Sequence, residues 1–341
     1  MAKISAAKAA TIHKGVHIMT VLEAIIQGIV QGLTEFLPVS SSGHLAITQH
    51  ILGVDMEGNL FFNVMLHIGT LVAVVVFYHK LIWSLIKEFF LMIKDIFTGK
   101  FKWSQMNYER NMIIMIIIGL LPLMLLFIPI PGTDMKIKDL AEVFASSPVL
   151  IVTALSLMLT SALLLIGVIC NRRNSMRSHK HFAGASHGKE KEKYTVVDAL
   201  LVGLMQCAAA LLPGLSRSGS TLAVGEMRGI NKQKALDFTF VLGIPSIIAA
   251  ALLEGADFIK DKGSVDIDWL PMIVGMAVSA VVGYLAIWIF KWFLKTDKMI
   301  IFIIYTAVVG IALLVISIIE LQNGTNFFTG ERLSTVLFSL S

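Results

Sequence analysis

Gln31 and Glu35 stand four residues apart in an apolar run, so a helix carries both on one face. An ionisable side chain at membrane depth is costly and marks function by default. Carboxylate and amide oxygens are hard ligands suited to Mg²⁺ or Ca²⁺. Just beyond them the chain reads Pro38-Val39-Ser40-Ser41-Ser42-Gly43-His44, and a new apolar helix is expected from about Leu45. Its free backbone N–H groups would form an anion site. One serine suffices to cap that helix, so three leave hydroxyls over for chemistry. His44 can serve as nucleophile, general acid or general base near neutral pH.

Far down the chain a second apolar stretch breaks in the same way, as Leu212-Pro213-Gly214-Leu215-Ser216-Arg217-Ser218-Gly219. Arg217 presents a planar fork of donors matched to phosphate oxygens, and it could equally pair with Glu35. The candidate catalytic residues are therefore Glu35, Ser41, His44 and Arg217. Ser40, Ser42, Gly43, Ser216, Arg217, Ser218 and Gly219 are candidates for phosphate binding, and Gln31 with Glu35 for a divalent cation. Glu23 falls near the same helical face, at the mouth of the first break, where surface placement is expected. His67 stands alone on an apolar face and reads as a satisfied core histidine. A cation, a guanidinium and a positioned nucleophile or base are the parts that phosphoryl transfer requires. The chain has no P-loop, GxSxG, zinc or dinucleotide fingerprint, and a site at membrane depth implies that the phosphate belongs to a lipid.

The elements that must position these groups are membrane helices. Of 341 residues, 56% are hydrophobic and 15% charged, with a mean hydropathy of +0.80. Soluble chains carry roughly 25% charged residues. The net charge of +5 is too modest and dispersed for nucleic acid. Cys170 and Cys207 lie in or beside apolar segments without ligand-like spacing, which excludes a disulfide framework and reads as buried structural thiols. Six stretches are long enough to cross a bilayer, near 61–79, 111–130, 148–170, 235–256, 269–290 and 299–320. Two more, near 20–52 and 196–228, are interrupted by the Pro/Ser/Gly loops, and their halves are too short to span. The expected fold is all-α, with six transmembrane helices and two re-entrant helical hairpins. Bare backbone at that depth is tolerated only where protein buries it or it lines a cavity.

The repeat extends beyond the loops. Phe62–Leu71 aligns with Phe238–Ile247 at an offset of 176, the same as Gly43 to Gly219. Three crossings separate the hairpins, so the copies are expected to be inverted, with their loops meeting near the midplane. The boundaries are 20–170 for the first repeat, 171–193 for a basic solvated linker, 194–320 for the second repeat and 321–341 for a tail. Lys and Arg gather in the 80–110, 171–193 and 291–298 connections, which places those loops in the cytoplasm. The termini and the mouth of the first hairpin then lie outside, against the minor conflict of Lys3, Lys8 and Lys14. The N-terminal apolar run leads into Glu35 rather than a cleavage site, so it is expected to be retained. Apolar residues of 80–104 alternate with lysines at helical spacing, as in an interfacial amphipathic helix.

The runs QGLTEFLPVSSSGH (31–44) and PGLSRSG (213–219) resemble the paired signatures of the bacterial undecaprenyl-diphosphatase, or bacitracin-resistance, family. The resemblance extends over about residues 20–320 and implies removal of one phosphate from undecaprenyl diphosphate, recycling the carrier lipid for peptidoglycan synthesis. It implies that Gln31 and Glu35 are the two positions of the family's (Glu/Gln)-x-x-x-Glu metal motif. It makes Ser41 and His44 the nucleophile and catalytic pair in either order, and Arg217 the phosphate-binding arginine. Many members have Glu where this chain has Gln31, which weakens any scheme with two carboxylates on the metal. The implied setting is the plasma membrane, with a polyprenyl diphosphate as partner, the site open to the extracytoplasmic side and a homodimer left open. A polyprenyl-phosphate flippase or ion-coupled transporter is the rival, because broken helices in inverted repeats also build transporters.

Overall fold

The computed structural model describes residues 20–52, 60–133, 135–145, 149–180, 191–261 and 269–333. Expectations for Lys3, Lys8 and Lys14, for most of the 53–60 loop and for His181 and His187 lie outside the described residues, as does the end of the tail. Among the described residues the chain is helical, with isolated bridges and no β-strand. In order, the helices are α1 (Val21–Phe36), α2 (Ser41–Leu52), α3 (Leu60–Phe77), α4 (His79–Phe97), α5 (Tyr108–Leu120) and α6 (Asp139–Ala145). Then follow α7 (Ile151–Lys180), α8 (Val196–Leu211), α9 (Arg217–Met227), α10 (Lys232–Asp261), α11 (Trp269–Lys295) and α12 (Ile300–Asn323).

Five segments are long and apolar enough to cross a membrane: 108–127, 151–174, 232–253, 269–295 and 300–323. The sixth expected span, 61–79, meets that length only together with α4, from which α3 is bent by 79°. That bend fits the amphipathic reading of 80–104, since α4 buries Leu85 and Met92 and exposes Trp83, Phe90 and Phe97. Two details differ from expectation. The helix α7 runs on to Lys180, ten residues past the expected end of its span, so the first part of the basic linker is helical. Cys170 and Cys207 are half-buried free thiols, because the faces that carry them are only partly covered.

Glycine decides which helices approach closely. On α1, Gly28 and Gly32 lie against Gly275, Ser279 and Gly283 of α11. A Cβ at Gly28 would fall 2.7 Å from the Gly275 carbonyl oxygen, and one at Gly32 2.8 Å from that of Ser279. Small residues one turn apart let backbones touch where lipid supplies no hydrophobic drive. This seam seats the helix that carries Gln31 and Glu35. An aromatic row, Phe36–Phe240–Phe290–Phe302, joins α1, α10, α11 and α12, with centroid separations of 5.4, 6.0 and 5.7 Å.

Both broken segments begin alike. Thr20 caps α1 in a reciprocal box with Glu23, and Thr195 caps α8 in the same box with Asp198. Each box satisfies two backbone donors that the first helical turn leaves without partners. Glu23 thus sits part-buried at the start of α1, tied into the cap.

Candidate active site

The two breaks, 37–40 and 212–216, carry the same hydrogen bonds. The second helix of each pair starts at a serine cap: Ser40 Oγ accepts from Gly43 N at 3.2 Å, and Ser216 Oγ accepts from Gly219 N at 3.0 Å. Next to each cap lies a hydroxyl–hydroxyl contact of 3.3 Å, Ser40–Ser42 and Ser216–Ser218. Because Ser40 does the capping, α2 starts at Ser41, four residues before the expected Leu45. Ser40 holds φ +75°, a region that costs an ordinary side chain strain and is accepted where the surroundings require it.

The loops dock on each other. Ser42 Oγ accepts from Gly214 N at 3.3 Å, and Ser218 Oγ donates to the Leu37 carbonyl at 3.3 Å. A Cβ at Gly43 would meet Gly214, and one at Gly219 would meet Pro38. Helix α7 braces the second loop from beneath, where Thr160 donates to the Gly214 carbonyl at 3.3 Å and accepts from Ser216 N at 3.0 Å. Ser40, Ser42, Gly43, Ser216, Ser218 and Gly219 therefore stitch the loops and start their helices.

That docking delivers three groups to Glu35, which is 6% exposed. Gln31 Nε2 donates to Glu35 Oε2 at 3.0 Å, and Ser41 Oγ donates to the same oxygen at 2.7 Å. Arg217 Nη2 donates to Glu35 Oε1. The guanidinium has room because α10 carries Gly243 beside it, where any Cβ would collide with Arg217. A charge-paired carboxylate with a hydroxyl on its free side is the arrangement of a base beside a nucleophile.

His44 faces elsewhere. Its Nδ1 lies 2.8 Å from the Ser40 carbonyl and its Nε2 2.8 Å from the Tyr305 hydroxyl of α12, with the two rings stacked at 5.6 Å. The carbonyl can only accept, so Nδ1 carries the proton and Nε2 accepts from Tyr305. Ser41 thus bonds Glu35 rather than His44.

His67 departs from the core-histidine expectation. Its Nδ1 is satisfied by the Asn63 carbonyl at 2.8 Å, but its Nε2 stands 3.7 Å from Glu35 Oε2, and the side chain is 34% exposed. The ring is therefore neither buried nor alone, because α1 brings the Glu35 carboxylate beside it. Sequence reasoning also passed over Tyr305, Gln27 and Gln49. The available signal was a polar side chain inside an apolar span, whose polar atom needs a partner.

Among the described residues no cluster of three His, Cys, Asp or Glu side chains is placed to hold a metal. What the site does offer a cation is the Glu35 carboxylate and Gln31 Oε1, a buried amide oxygen without a partner. Such a set suits a hard ion that completes its shell with substrate phosphate and water.

Apolar helices of spanning length and a polar cluster assembled where helices break define a multi-pass membrane protein with a buried polar centre. The family described as bacitracin resistance protein BacA matches residues 24–312, and the chain belongs to that family. It is 40% identical to an undecaprenyl-diphosphatase of Bacteroides fragilis, over 86% of this chain and 97% of the relative. It is 38% identical to one of Alkaliphilus metalliredigens, covering 88% and 100%, and 37% identical to one of Methanobrevibacter smithii, covering 89% and 100%.

Proposed function

We propose that this protein is an undecaprenyl-diphosphatase, a hydrolase that converts undecaprenyl diphosphate to the monophosphate and inorganic phosphate. By recycling the carrier lipid it serves peptidoglycan synthesis and counters bacitracin. The observation that carries the reading is the Ser41–Glu35–Arg217 constellation: a hydroxyl donating at 2.7 Å to a carboxylate whose other oxygen is held by a guanidinium. Family membership and the matching relatives support the same conclusion.

In this mechanism Ser41 Oγ attacks the terminal phosphorus and its proton passes to Glu35. Arg217 and the N–H groups at the start of α2 and α9 bind the phosphoryl oxygens and stabilise the charge that develops on them. His44, held at Nδ1 by Ser40 and at Nε2 by Tyr305, is the group this mechanism uses to pass a proton to the departing prenyl phosphate. Gln31 Oε1 and Glu35 would hold Mg²⁺ or Ca²⁺, which when bound neutralises diphosphate oxygens. The architecture that fits is six crossings and two re-entrant hairpins in an inverted repeat, within 20–170 and 194–320. The setting is the bacterial plasma membrane, with the site open to the extracytoplasmic side and the polyprenyl chain in the lipid.

The test is phosphate release from undecaprenyl diphosphate by purified protein in detergent, with and without chelator. Release there, abolished by Ser41→Ala, is expected. A flippase or ion-coupled transporter alone, lacking a gradient in detergent, would release none.

A further inference from the structure

Four side chains on successive turns of α1, Glu23, Gln27, Gln31 and Glu35, run from the start of the helix to the reactive carboxylate. Gln27 and Gln31 are fully buried, and Gln49 of α2 is 1% exposed. Gln49 Nε2 donates to Gln27 Oε1 at 2.9 Å and to Asn63 Oδ1 at 3.2 Å. On α3 the Asn63 backbone carbonyl bonds His67 Nδ1, and His67 Nε2 stands 3.7 Å from Glu35 Oε2. Polar groups of α1, α2 and α3 thus gather on the approach to Glu35, inside a region that is otherwise apolar.

Two atoms of this group lack partners, Gln27 Nε2 and Gln31 Oε1. Gln27 Oε1 accepts from Gln49, and Gln31 Nε2 donates to Glu35. Turning the Gln27 amide alone would set its NH₂ against that of Gln49, and turning Gln31 would set its oxygen against the Glu35 carboxylate. A free donor and a free acceptor therefore lie on one face of α1, four residues apart. A buried water requires two to four polar partners, and a water here would have both orphaned atoms. A cation would satisfy only Gln31, whose oxygen keeps a second lone pair for it.

We infer that Gln27 and Gln31 hold a water molecule between them, and that this site, supported by Gln49 and Asn63, supplies the water consumed in hydrolysis. The inference rests on the phosphatase reading and deepens it. In the second half-reaction this water attacks the phosphorus of phosphoryl-Ser41. A new O–P bond forms and the P–Oγ bond breaks. Glu35 returns to Ser41 Oγ the proton it took in the first step, and takes from the water the proton that replaces the one given to the prenyl phosphate. The products are free serine and hydrogen phosphate. Entry along the polar turns of α1 keeps this water apart from the lipid-facing side where the prenyl chain must lie.

Gln27→Leu keeps the volume but removes the free donor and the Gln49 acceptor. It is expected to lower kcat for phosphate release at least tenfold with KM unchanged. Exchange of labelled undecaprenyl phosphate into undecaprenyl diphosphate, which reverses through phosphoryl-Ser41 without water, is expected to keep its wild-type rate. Gln27→Ser, whose smaller side chain leaves room for more water, is expected to restore most of the release. Unchanged release in Gln27→Leu would overturn the inference. So would equal loss of release and exchange, or Gln27→Ser as slow as Gln27→Leu, since those mark a structural amide. Absence of exchange in the wild type would remove the phosphoryl-serine step instead. The Leu and Ser variants would then still decide the water site through release alone.

Discussion

The two helix breaks share a scaffold and divide the chemistry. Ser40 and Ser216 cap alike, Ser42 and Ser218 each reach across to the other loop, and Thr20 and Thr195 open their helices with the same box. Between the matched serines stand Ser41 in one loop and Arg217 in the other, and both bond Glu35. The next helices differ in the same sense: His67 faces the carboxylate, while at the matching offset Gly243 leaves a space that the arginine fills. A duplicated backbone solution to bare polar groups in lipid has thus been kept, while one copy carries the hydroxyl and carboxylate proposed as nucleophile and base and the other carries the guanidinium.

The sharpest way to break this contrast is to remove the shared partner. Glu35→Gln keeps the shape but abolishes the base, and phosphate release is expected to fall by about 10³-fold or more, within the range for general bases. Arg217→Lys retains charge but loses the fork, with an expected loss of about 10²-fold. Gly243→Ala should reach a comparable loss without touching Arg217, because the new methyl occupies the guanidinium's place; unaltered kinetics would show that the space is incidental. Tyr305→Phe frees His44 Nε2 and is expected to lower kcat by about tenfold with KM unchanged, read in steady-state assays. Smallest are the scaffold substitutions. Ser40→Ala and Ser216→Ala should each cost about 1 kcal/mol in detergent unfolding, as lost caps do. Unequal losses would show that the two loops are not mechanically alike.

The site was largely legible where its residues are close in the chain. Gln31 and Glu35 meet because they are four apart on a helix, and the Ser–Gly clusters announce helix starts because serine caps and glycine permits close approach. The choice among Ser40, Ser41 and Ser42 was not legible. It turns on which hydroxyl points back to α1 once Ser40 takes the left-handed conformation and spends its own oxygen on the cap. His67 was misread for a related reason, since its helical face is apolar in sequence and only the packing of α1 brings Glu35 beside it. Span boundaries moved where composition is blind to geometry, as at the 79° bend that separates α3 from α4.

By itself the sequence determined the membrane class, the apolar segments, the paired breaks and the residue types able to handle a phosphate, because hydropathy and local spacing are short-range properties. Only the tertiary structure decided that Arg217 meets Glu35, that Tyr305 rather than Ser41 holds His44, and that Gln49 joins Gln27 to Asn63. Those pairings join residues distant in the chain. They exist because glycine seams and cross-loop hydrogen bonds bring helices to a fixed separation, which no local pattern encodes.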